Sequence, residues 1–348
     1  MAKTVQVSDD NGVTWYTLPG GEGELNRESG LISDTIFGQT FESNEVGLLG
    51  WNLNGQAIYK GFAGYLADLK QVGTATGMTT EACTLVSGKT YQIDDTTKRI
   101  WDRLGAVNPL VVFDNAVDHS ADVLSIDYLF GKVTFEAAYT PTGPITVTGT
   151  YFPTAVLGQG KSFTLNMTAA LIDTTTFAIA QANGGYRTQD PGLRNANLEI
   201  GGLYALSSGF ATVLSGRSEI IIEIDPVGDG LSIARGFYKL TTMGQSGAVG
   251  ALEEESLNFT LNVPVEDALP VDIPFGWEFD ASSAIPAAVQ KSIEAWQAET
   301  KLDVRYLPDG VAGDTGDAVV NNFTMSGGLE QMNEFTAVYS GDGATTPV

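Results

Sequence analysis

Cysteine and histidine are almost absent from this sequence of 348 residues, which contains one of each, Cys83 and His119. A single cysteine cannot form a disulfide within the chain, and it cannot supply a cluster of thiolate metal ligands. One histidine excludes metal sites that need several imidazoles and leaves room for at most one Ser-His-Asp site. The sequence therefore offers few routes to metal or nucleophilic chemistry.

Basic residues are also scarce. The chain has 18 Lys and Arg against 42 Asp and Glu, for a formal net charge of −24. The acidic residues are spread along the chain rather than held in a tail, and both halves are acidic. Such a surface repels nucleic acid and anionic membranes. Two interpretations stay open: the charge serves solubility, or it lets the protein face DNA without retaining it.

Long apolar runs are missing as well. Runs such as residues 110–113 and 220–222 are far too short to cross a bilayer. The first ten residues, MAKTVQVSDD, contain no apolar core of a secretory signal. The sequence therefore predicts a protein without membrane spans that is made in a reducing cytoplasm.

What the sequence does contain predicts a mainly β fold. Glycine is frequent, with 41 residues, and only 17% of residues are charged, which disfavours long solvated helices. Residues 3–18 predict a hairpin turning at Asn11-Gly12. Residues 60–73 predict a helix, with Phe62, Tyr65, Leu66 and Leu69 on one face. Residues 285–300 predict a second helix, which has Ser282 or Ser283 as its cap and Pro286 in its first turn and covers a sheet. Further strands are predicted at residues 90–100, 111–113, 126–130, 133–139, 145–152, 161–170, 219–225, 252–263 and 333–340.

One stretch occurs twice. Residues 34–59, DTIFGQTFESNEVGLLGWNLNGQAIY, share an Asp-Thr start and a Gly-Leu strand with residues 173–204. A constant offset of 145 positions (192 − 47) indicates a duplicated unit. The matched pairs are Gly47 and Gly192, Leu48 and Leu193, Asn52 and Asn197, Leu53 and Leu198, and Tyr59 and Tyr204. The sequence thus predicts an N-terminal hairpin or arm at residues 1–25 and two tandem domains at residues 26–160 and 161–348, joined at residues 153–160.

No motif in the sequence predicts a catalytic, cofactor-binding or metal-binding residue. Asp118, His119 and Ser120 are consecutive, so they cannot converge as a relay on a strand, and a surface loop is the better interpretation. Gly160-Lys161-Ser162 resembles the end of a phosphate loop, but Ala155 stands where a glycine is required and a strand follows. Paired acids for glycoside hydrolysis are not singled out by any motif. The tryptophans are expected to serve packing rather than sugar binding; they are Trp15, Trp51, Trp101, Trp277 and Trp296.

The repeated unit, together with the C-terminal GLEQMNEFTAVYSGDG (residues 328–343), resembles the major tail tube proteins of long-tailed, siphovirus-type bacteriophages. The resemblance covers roughly residues 30–60, 165–260 and 320–343. It implies two β-sandwich or small β-barrel domains with a flanking helix. It also implies rings whose inner sheets join into a barrel around a DNA channel. Most members of that family have one tube domain and form hexamers, so a duplicated chain implies trimers with pseudo-sixfold symmetry.

The same resemblance implies a structural, non-enzymatic protein of the virion tail that assembles in the host cytoplasm without cofactors or membrane contact. Its acidic lumen would conduct DNA during ejection without tight binding. Implied partners are further copies of the chain and the tape measure, tail terminator and tail-tip proteins. The Gly-rich loop before the repeated strand of the second copy and the Ser-Asn loop before that of the first are expected to contact the next ring. Two alternatives stay open: a tail-tip, baseplate-ring or other virion binding module of related fold, and a carbohydrate-active β-protein.

Overall fold

The computed structural model describes residues 3–19, 22–33, 44–59, 66–72, 74–104, 109–159, 161–203, 210–228, 230–246, 254–263, 270–328 and 331–348. Within them the first strands are β1 Thr4–Ser8, β2 Tyr16–Thr17, β3 Gly23–Ser33, β4 Asn44–Tyr59, β5 Leu66–Val72, β6 Thr76–Ser87, β7 Thr90–Ile93, β8 Val111–Asp114, β9 Val117–Asp118, β10 Val123–Asp127, β11 Lys132–Phe135, β12 Ile145–Tyr151 and β13 Thr154–Gln159. They are followed by β14 Ser162–Asp173, α1 Phe177–Ala182, β15 Gln189–Leu203, α2 Phe210–Gly216, β16 Glu219–Asp225, β17 Ser232–Ser246, β18 Glu254–Leu261, β19 Val271–Asp272, β20 Phe275–Phe279, α3 Ala287–Ala298, β21 Leu302–Leu307, β22 Asp314–Gly328 and β23 Gln331–Pro347. The predicted mainly β fold is confirmed.

The chain forms two compact units, and each is built from separated segments. Unit 1 comprises Met1–Tyr65, Ser162–Leu198 and Phe279–Val348, and unit 2 comprises Leu66–Lys161 and Glu199–Glu278. These units group the chain differently from the predicted tandem ranges. The predicted duplication concerns the origin of the segments, so it stays a prediction.

Unit 1 is organised around β22. This strand pairs antiparallel with β14, β21 and β23; β23 continues the sheet to β4 and β3, and β21 continues it to β1 and β2. Alternation explains why β14 is a strand, since Phe163, Leu165 and Met167 are buried and the residues between them are not. Burying such a side chain contributes about 1.5–3 kcal/mol.

Helix α3 packs on this sheet and buries Val289, Ile293 and Trp296. Its Ser292 hydroxyl lies 2.8 Å from the hydroxyl of Tyr339 in β23, so the helix and the sheet also share a buried polar contact. The predicted helix is thus confirmed, but its cap is not as expected. Pro286 occupies the N-cap position without a side-chain cap, and the Ser283 hydroxyl instead accepts the N–H of Ile285.

Unit 2 contains two sheets. One has the order β13-β5-β16-β17-β18, and the other has the order β19-β10-β11-β7-β6-β12-β8-β9. The second sheet encloses a core around Trp101, and a further cluster joins Phe130 to Ile221 and Phe237 of the first. Arg103 lies inside this unit with a side chain only 4% exposed, where it pairs with Glu219 and Asp272.

One sequence prediction is wrong. The helix predicted for residues 60–73 is replaced, within the described residues 66–72, by strand β5, which pairs with β13 and β16. Gly61 and Gly64 weaken helix formation there, and ladder partners on both edges favour the strand. Phe62 and Tyr65 lie outside the described residues. Within the predicted joint at residues 153–160, Thr154–Gln159 form strand β13, and a boundary between the two units follows after Lys161. The joint stays a prediction.

The hairpin predicted at residues 3–18 is confirmed. Strands β1 and β2 pair antiparallel, and Asn11 and Gly12 both adopt positive φ, at 57° and 74°. Asp10 holds the turn by accepting the N–H groups of Val13 and Thr14. These hydrogen bonds stabilise the carboxylate, so the pKa of Asp10 falls to about 2.

Candidate assembly surfaces

The residues that look catalytic in the sequence do not form a catalytic arrangement. Asp118 accepts hydrogen bonds from the backbone and hydroxyl of Ser120, at 2.9 and 2.7 Å. His119 turns away to Asp122, with Nδ1 2.9 Å from the carboxylate, and its ring stacks on Tyr139. The serine and the histidine therefore have separate acidic partners. Each carboxylate fixes a turn after β9.

The resemblance to a phosphate loop also has a structural explanation. The N–H of Lys161 donates to the carbonyl of Gly201 at 2.6 Å, and strand β14 begins at the next residue. A phosphate loop needs a helix N-terminus at that point. Within the described ranges, no group of three His, Cys, Asp or Glu side chains could hold a metal ion.

Cys83 and the tryptophans also serve packing. Burial, reinforced by the charges of Asp94 and Glu81, raises the pKa of the Cys83 thiol to about 12, so it is protonated and weakly nucleophilic at neutral pH. Four tryptophans are at most 6% exposed, while the half-buried Trp15 stacks under Arg305 at 3.9 Å. The four buried tryptophans are Trp51, Trp101, Trp277 and Trp296.

Unit 1 also exposes a set of apolar side chains along the β14–α1–β15 hairpin, here named the hairpin patch. Phe177 is 88% exposed and Leu193 is 91% exposed. Ile172 is half-exposed, and Leu171 and Ile179 also reach the surface. Together these five side chains expose on the order of 500 Å² of apolar surface along the hairpin, which makes the hairpin a candidate contact surface.

Side-chain hydrogen bonds hold the end of this hairpin in one conformation. Thr174 and Thr188 pair through both backbone and hydroxyl groups, at 3.0 and 3.1 Å. The Thr175 hydroxyl exchanges hydrogen bonds with the backbone of Thr188, and Thr176 caps α1 by accepting the N–H of Ile179. Hydrogen bonds from Thr175 to Asp173 lower the pKa of that carboxyl. The patch is thus preorganised, which reduces the entropy lost on binding.

The same end of the hairpin is anchored to the rest of unit 1. Backbone hydrogen bonds join Leu49 to Gly185 and Arg187, and Arg187 in turn accepts the N–H of Gly343. Lys301 bridges Asp190 and Asp342, at 2.6 and 2.8 Å, and Asp342 also accepts the N–H of Gln189. The Gly-rich loop at residues 183–185, predicted to contact the next ring, belongs to this hairpin. The corresponding loop before the first repeat lies outside the described residues.

Two long strands have an open edge among the described residues. Strand β3 pairs with β4 alone, which leaves its other edge without a ladder partner. Strand β17 pairs with β16 through Ala234–Lys239 and with β20 near Phe237, whose N–H donates to the carbonyl of Pro274. The residues Thr242–Ser246 therefore have a described ladder partner only in β18. Open backbone edges can pair with another chain.

The sequence did not reveal these surfaces. In the sequence, Phe177 and Leu193 look like core residues. Only the fold shows that nothing in the described part of the chain covers them. The available signal was the threonine run before Phe177, which is typical of a capped turn.

None of the described helices has the length and apolar character needed to cross a membrane. No protein-family model matches the sequence, and no curated protein matches it. Among solved structures, one similar chain belongs to the tail of an empty GTA particle computed with helical refinement and C6 symmetry. It is 13% identical, with 37% of this chain and 87% of that chain covered and a TM-score of 0.29. Another belongs to the virion of a native gene transfer agent particle. It is also 13% identical, with 37% and 89% covered and a TM-score of 0.27. Similarity at this level supports no argument about this chain.

Proposed function

We propose that this chain is a structural protein of a phage tail that assembles with copies of itself into rings, and that the rings stack into the tail tube. The sequence resemblance to major tail tube proteins suggests this class of protein. A preorganised apolar surface on a chain with a formal net charge of −24 supports it, since such a chain repels its own copies unless specific contacts hold them.

The exposure of the hairpin patch is the main structural support for the proposal. A stable pairwise interface buries roughly 800 Å² on each partner, which is more than the patch presents. In a ring or a stack each subunit also contacts neighbours through other surfaces, so the patch need not hold the assembly alone. We therefore assign the hairpin patch to contacts between copies of the chain.

The remaining roles follow from this proposal. Three chains would form a ring with pseudo-sixfold symmetry, and an acidic lumen would let DNA pass without tight binding, because phosphates find few basic groups to pair with. The tape measure, tail terminator and tail-tip proteins would be the other partners. No catalysis, cofactor or membrane contact is part of the proposal.

An assembly experiment tests the proposed function. We expect the purified chain to sediment as oligomers and to form rings or tubes in negative-stain micrographs. A chain that stays monomeric at high protein concentration would contradict the proposal. If purified virions contained only a few copies of the chain, the tail-tip or baseplate-ring alternative would replace the tube.

A pair of matched variants tests the role of the hairpin patch. Phe177→Ser combined with Leu193→Ser should raise the protein concentration needed for assembly at least about tenfold, because each side chain contributes about 1.5–3 kcal/mol when buried. The control is Val13→Ser combined with Val311→Ser, which removes two side chains that are each 81% exposed on other turns. Neither variant should change the unfolding midpoint by much, since all four residues are exposed. Equal assembly of the two variants would refute the role of the patch.

A further inference from the structure

Two three-stranded segments of the chain share one hydrogen-bonding register. We name β16–β17–β18 with α2 the middle module, and β21–β22–β23 with α3 the C-terminal module. In the hairpin of the middle module, Leu240 pairs with Phe259, and 80 positions later (320 − 240) Val320 pairs with Tyr339. All eight pairs between β17 and β18 have such a counterpart, and both ladders shift register at the same place, after Leu240 and after Val320.

The first strands and the helices of the modules correspond as well. Ile221 pairs with Phe237 in the middle module, and Asp303 pairs with Asp317 at the equivalent place in the C-terminal module. The helices end 82 positions apart, at Gly216 and Ala298. Each is followed by a non-glycine residue with positive φ, Arg217 at 51° and Glu299 at 57°. The shared helix end and the two shared ladder registers indicate that the two modules are equivalent.

The two long N-terminal hairpins extend this correspondence. Strands β4 and β15 begin 145 positions apart, at Asn44 and Gln189, which is the offset of the sequence repeat. Leu25-Asn26 in β3 matches Leu165-Asn166 in β14 at an offset of 140 (165 − 25). At the offset of 145, Leu53 in β4 corresponds to Leu198 in β15, and both are buried.

The β3–β4 hairpin and the C-terminal module together form the first copy, and the β14–β15 hairpin and the middle module form the second. Inside unit 1, a strand of the first copy already pairs with a strand of the second. The C-terminal half of β22 pairs antiparallel with β14, so that Asn322 lies opposite Thr168 and Phe323 lies opposite Met167. The equivalents of these two edges are Thr242–Ser246 in β17 and Glu24–Glu28 in β3. Both are open among the described residues.

We infer that residues 242–246 of β17 in one chain pair antiparallel with residues 24–28 of β3 in the next chain. The pairing repeats between chains the junction that β22 and β14 make within one chain. The internal register fixes the partners: Thr242 lies opposite Glu28, Met243 opposite Arg27 and Gly244 opposite Asn26. This inference rests on the proposed self-assembly and names the strands that perform it. The correspondence of the segments also makes the two copies nested rather than tandem. The second copy, β14–β18, is inserted between the β3–β4 hairpin and the segment α3–β23 of the first copy.

The chemistry of the two edges fits this pairing. Thr242 and Gly244 are exposed and uncharged, and Met243 is half-buried, so they offer a ladder without charge repulsion. Glu24 and Glu28 lie on the opposite face of β3 from Leu25 and Arg27, so both glutamates stay in solvent. Because the two edges differ, the contact is head-to-tail, and a head-to-tail contact closes into a ring or continues as a helix.

Engineered disulfides test the register in the full chain with Cys83→Ser. Glu28→Cys combined with Thr242→Cys should give covalent links between chains after mild oxidation, ending at a species of three chains. The control Asn26→Cys with Thr242→Cys places both cysteines on the same face but two residues out of register. It should give at least about tenfold less disulfide-linked product. The internal pair Thr168→Cys with Asn322→Cys should link within one chain and shows that oxidation is effective. Arg27→Cys with Met243→Cys provides a second matched pair on the other face.

Microscopy of the same reduced samples separates this inference from the proposed function. Assembled particles in which matched and slipped pairs react equally, or in which neither matched pair reacts, would overturn the strand pairing and leave the function standing. A link between residues 28 and 242 within one chain would also overturn it. If the parent chain forms no assembly, both proposals fail.

Discussion

The middle and C-terminal modules have the same ladder register but different side chains. At equivalent ladder positions, the middle module buries Ile221 against Phe237, whereas the C-terminal module places Asp303 opposite Asp317. The register is therefore independent of the chemistry of any one pair. Backbone ladders and the repeated bulge preserve it, and the side chains are free to diverge.

The difference is clearest where the first strand of each module begins. The Glu219 carboxylate of the middle module accepts a hydrogen bond from Asn262 and forms an ion pair with the buried Arg103. The equivalent positions in the C-terminal module hold Lys301 and Asp342, which form a partly exposed ion pair at 2.8 Å. The same location thus carries an acid in one module and a lysine in the other. Burial differs as well, and it determines how much each ion pair matters.

Of the variants that test this comparison, Arg103→Met should lose the most unfolding free energy. The guanidinium is 4% exposed, pairs with two carboxylates and lies 4.0 Å from the ring of Phe237. Its removal leaves the carboxylates of Glu219 and Asp272 buried without a cation, which costs about 3–5 kcal/mol of unfolding free energy. Chemical denaturation measures this loss.

The matched control is Lys301→Met in the C-terminal module. Its side chain is 35% exposed, and its partners Asp190 and Asp342 are 49% and 14% exposed, so the expected loss is at most about 1 kcal/mol. Equal losses for the two variants would mean that burial does not distinguish the two sites.

Tyr339→Phe should give a smaller effect, because it converts a position of the C-terminal module to the residue of its counterpart, Phe259. Both side chains are buried, but Tyr339 also shares a hydrogen bond with Ser292 at 2.8 Å. Losing this bond should cost about 1 kcal/mol. A double-mutant cycle with Ser292→Ala measures the coupling, and additive effects would show that the hydrogen bond contributes nothing.

The strands and α3 could be predicted from the sequence because their patterns are local. Alternation marks β14, positive-φ residues mark the turn at Asn11-Gly12, and an apolar stripe marks α3. The helix predicted around Leu66 is wrong because its fate depends on ladder partners distant in the sequence, β13 and β16. Side-chain periodicity carries no information about those partners.

The candidate assembly surfaces could be predicted only in part. The Gly-rich loop at residues 183–185 was identified from the repeat, but the exposure of Phe177 depends on what the rest of unit 1 leaves uncovered. The correspondence of the modules was missed because few residues are identical, among them Gly236 and Gly316. A ladder register is a property of paired backbones, and substitutions such as Ile221 for Asp303 conceal it.

The smallest expected effect comes from the pair Asp303–Asp317. Burial, a hydrogen bond to Asp317 and the charge of that residue raise the pKa of Asp303 to about 6. The folded state therefore binds the proton more tightly than the unfolded chain, in which the pKa is about 4. The corresponding stability is fully present below pH 4 and is lost as the pH rises through 6. Asp317→Asn removes the like charge, so it should raise the melting temperature at pH 7.5 and change it little at pH 4.

Asp309→Asn, in the turn between β21 and β22, is the control of opposite sign. Asp309 accepts the N–H groups of Val311 and Ala312, which lower its pKa, so its contribution is present at neutral pH and lost on acidification. This variant should therefore not be stabilised at any pH. If Asp317→Asn were also not stabilised at pH 7.5, the two carboxylates would not repel each other in the folded protein. The apolar pair of the middle module would then have no electrostatic advantage over the acidic pair.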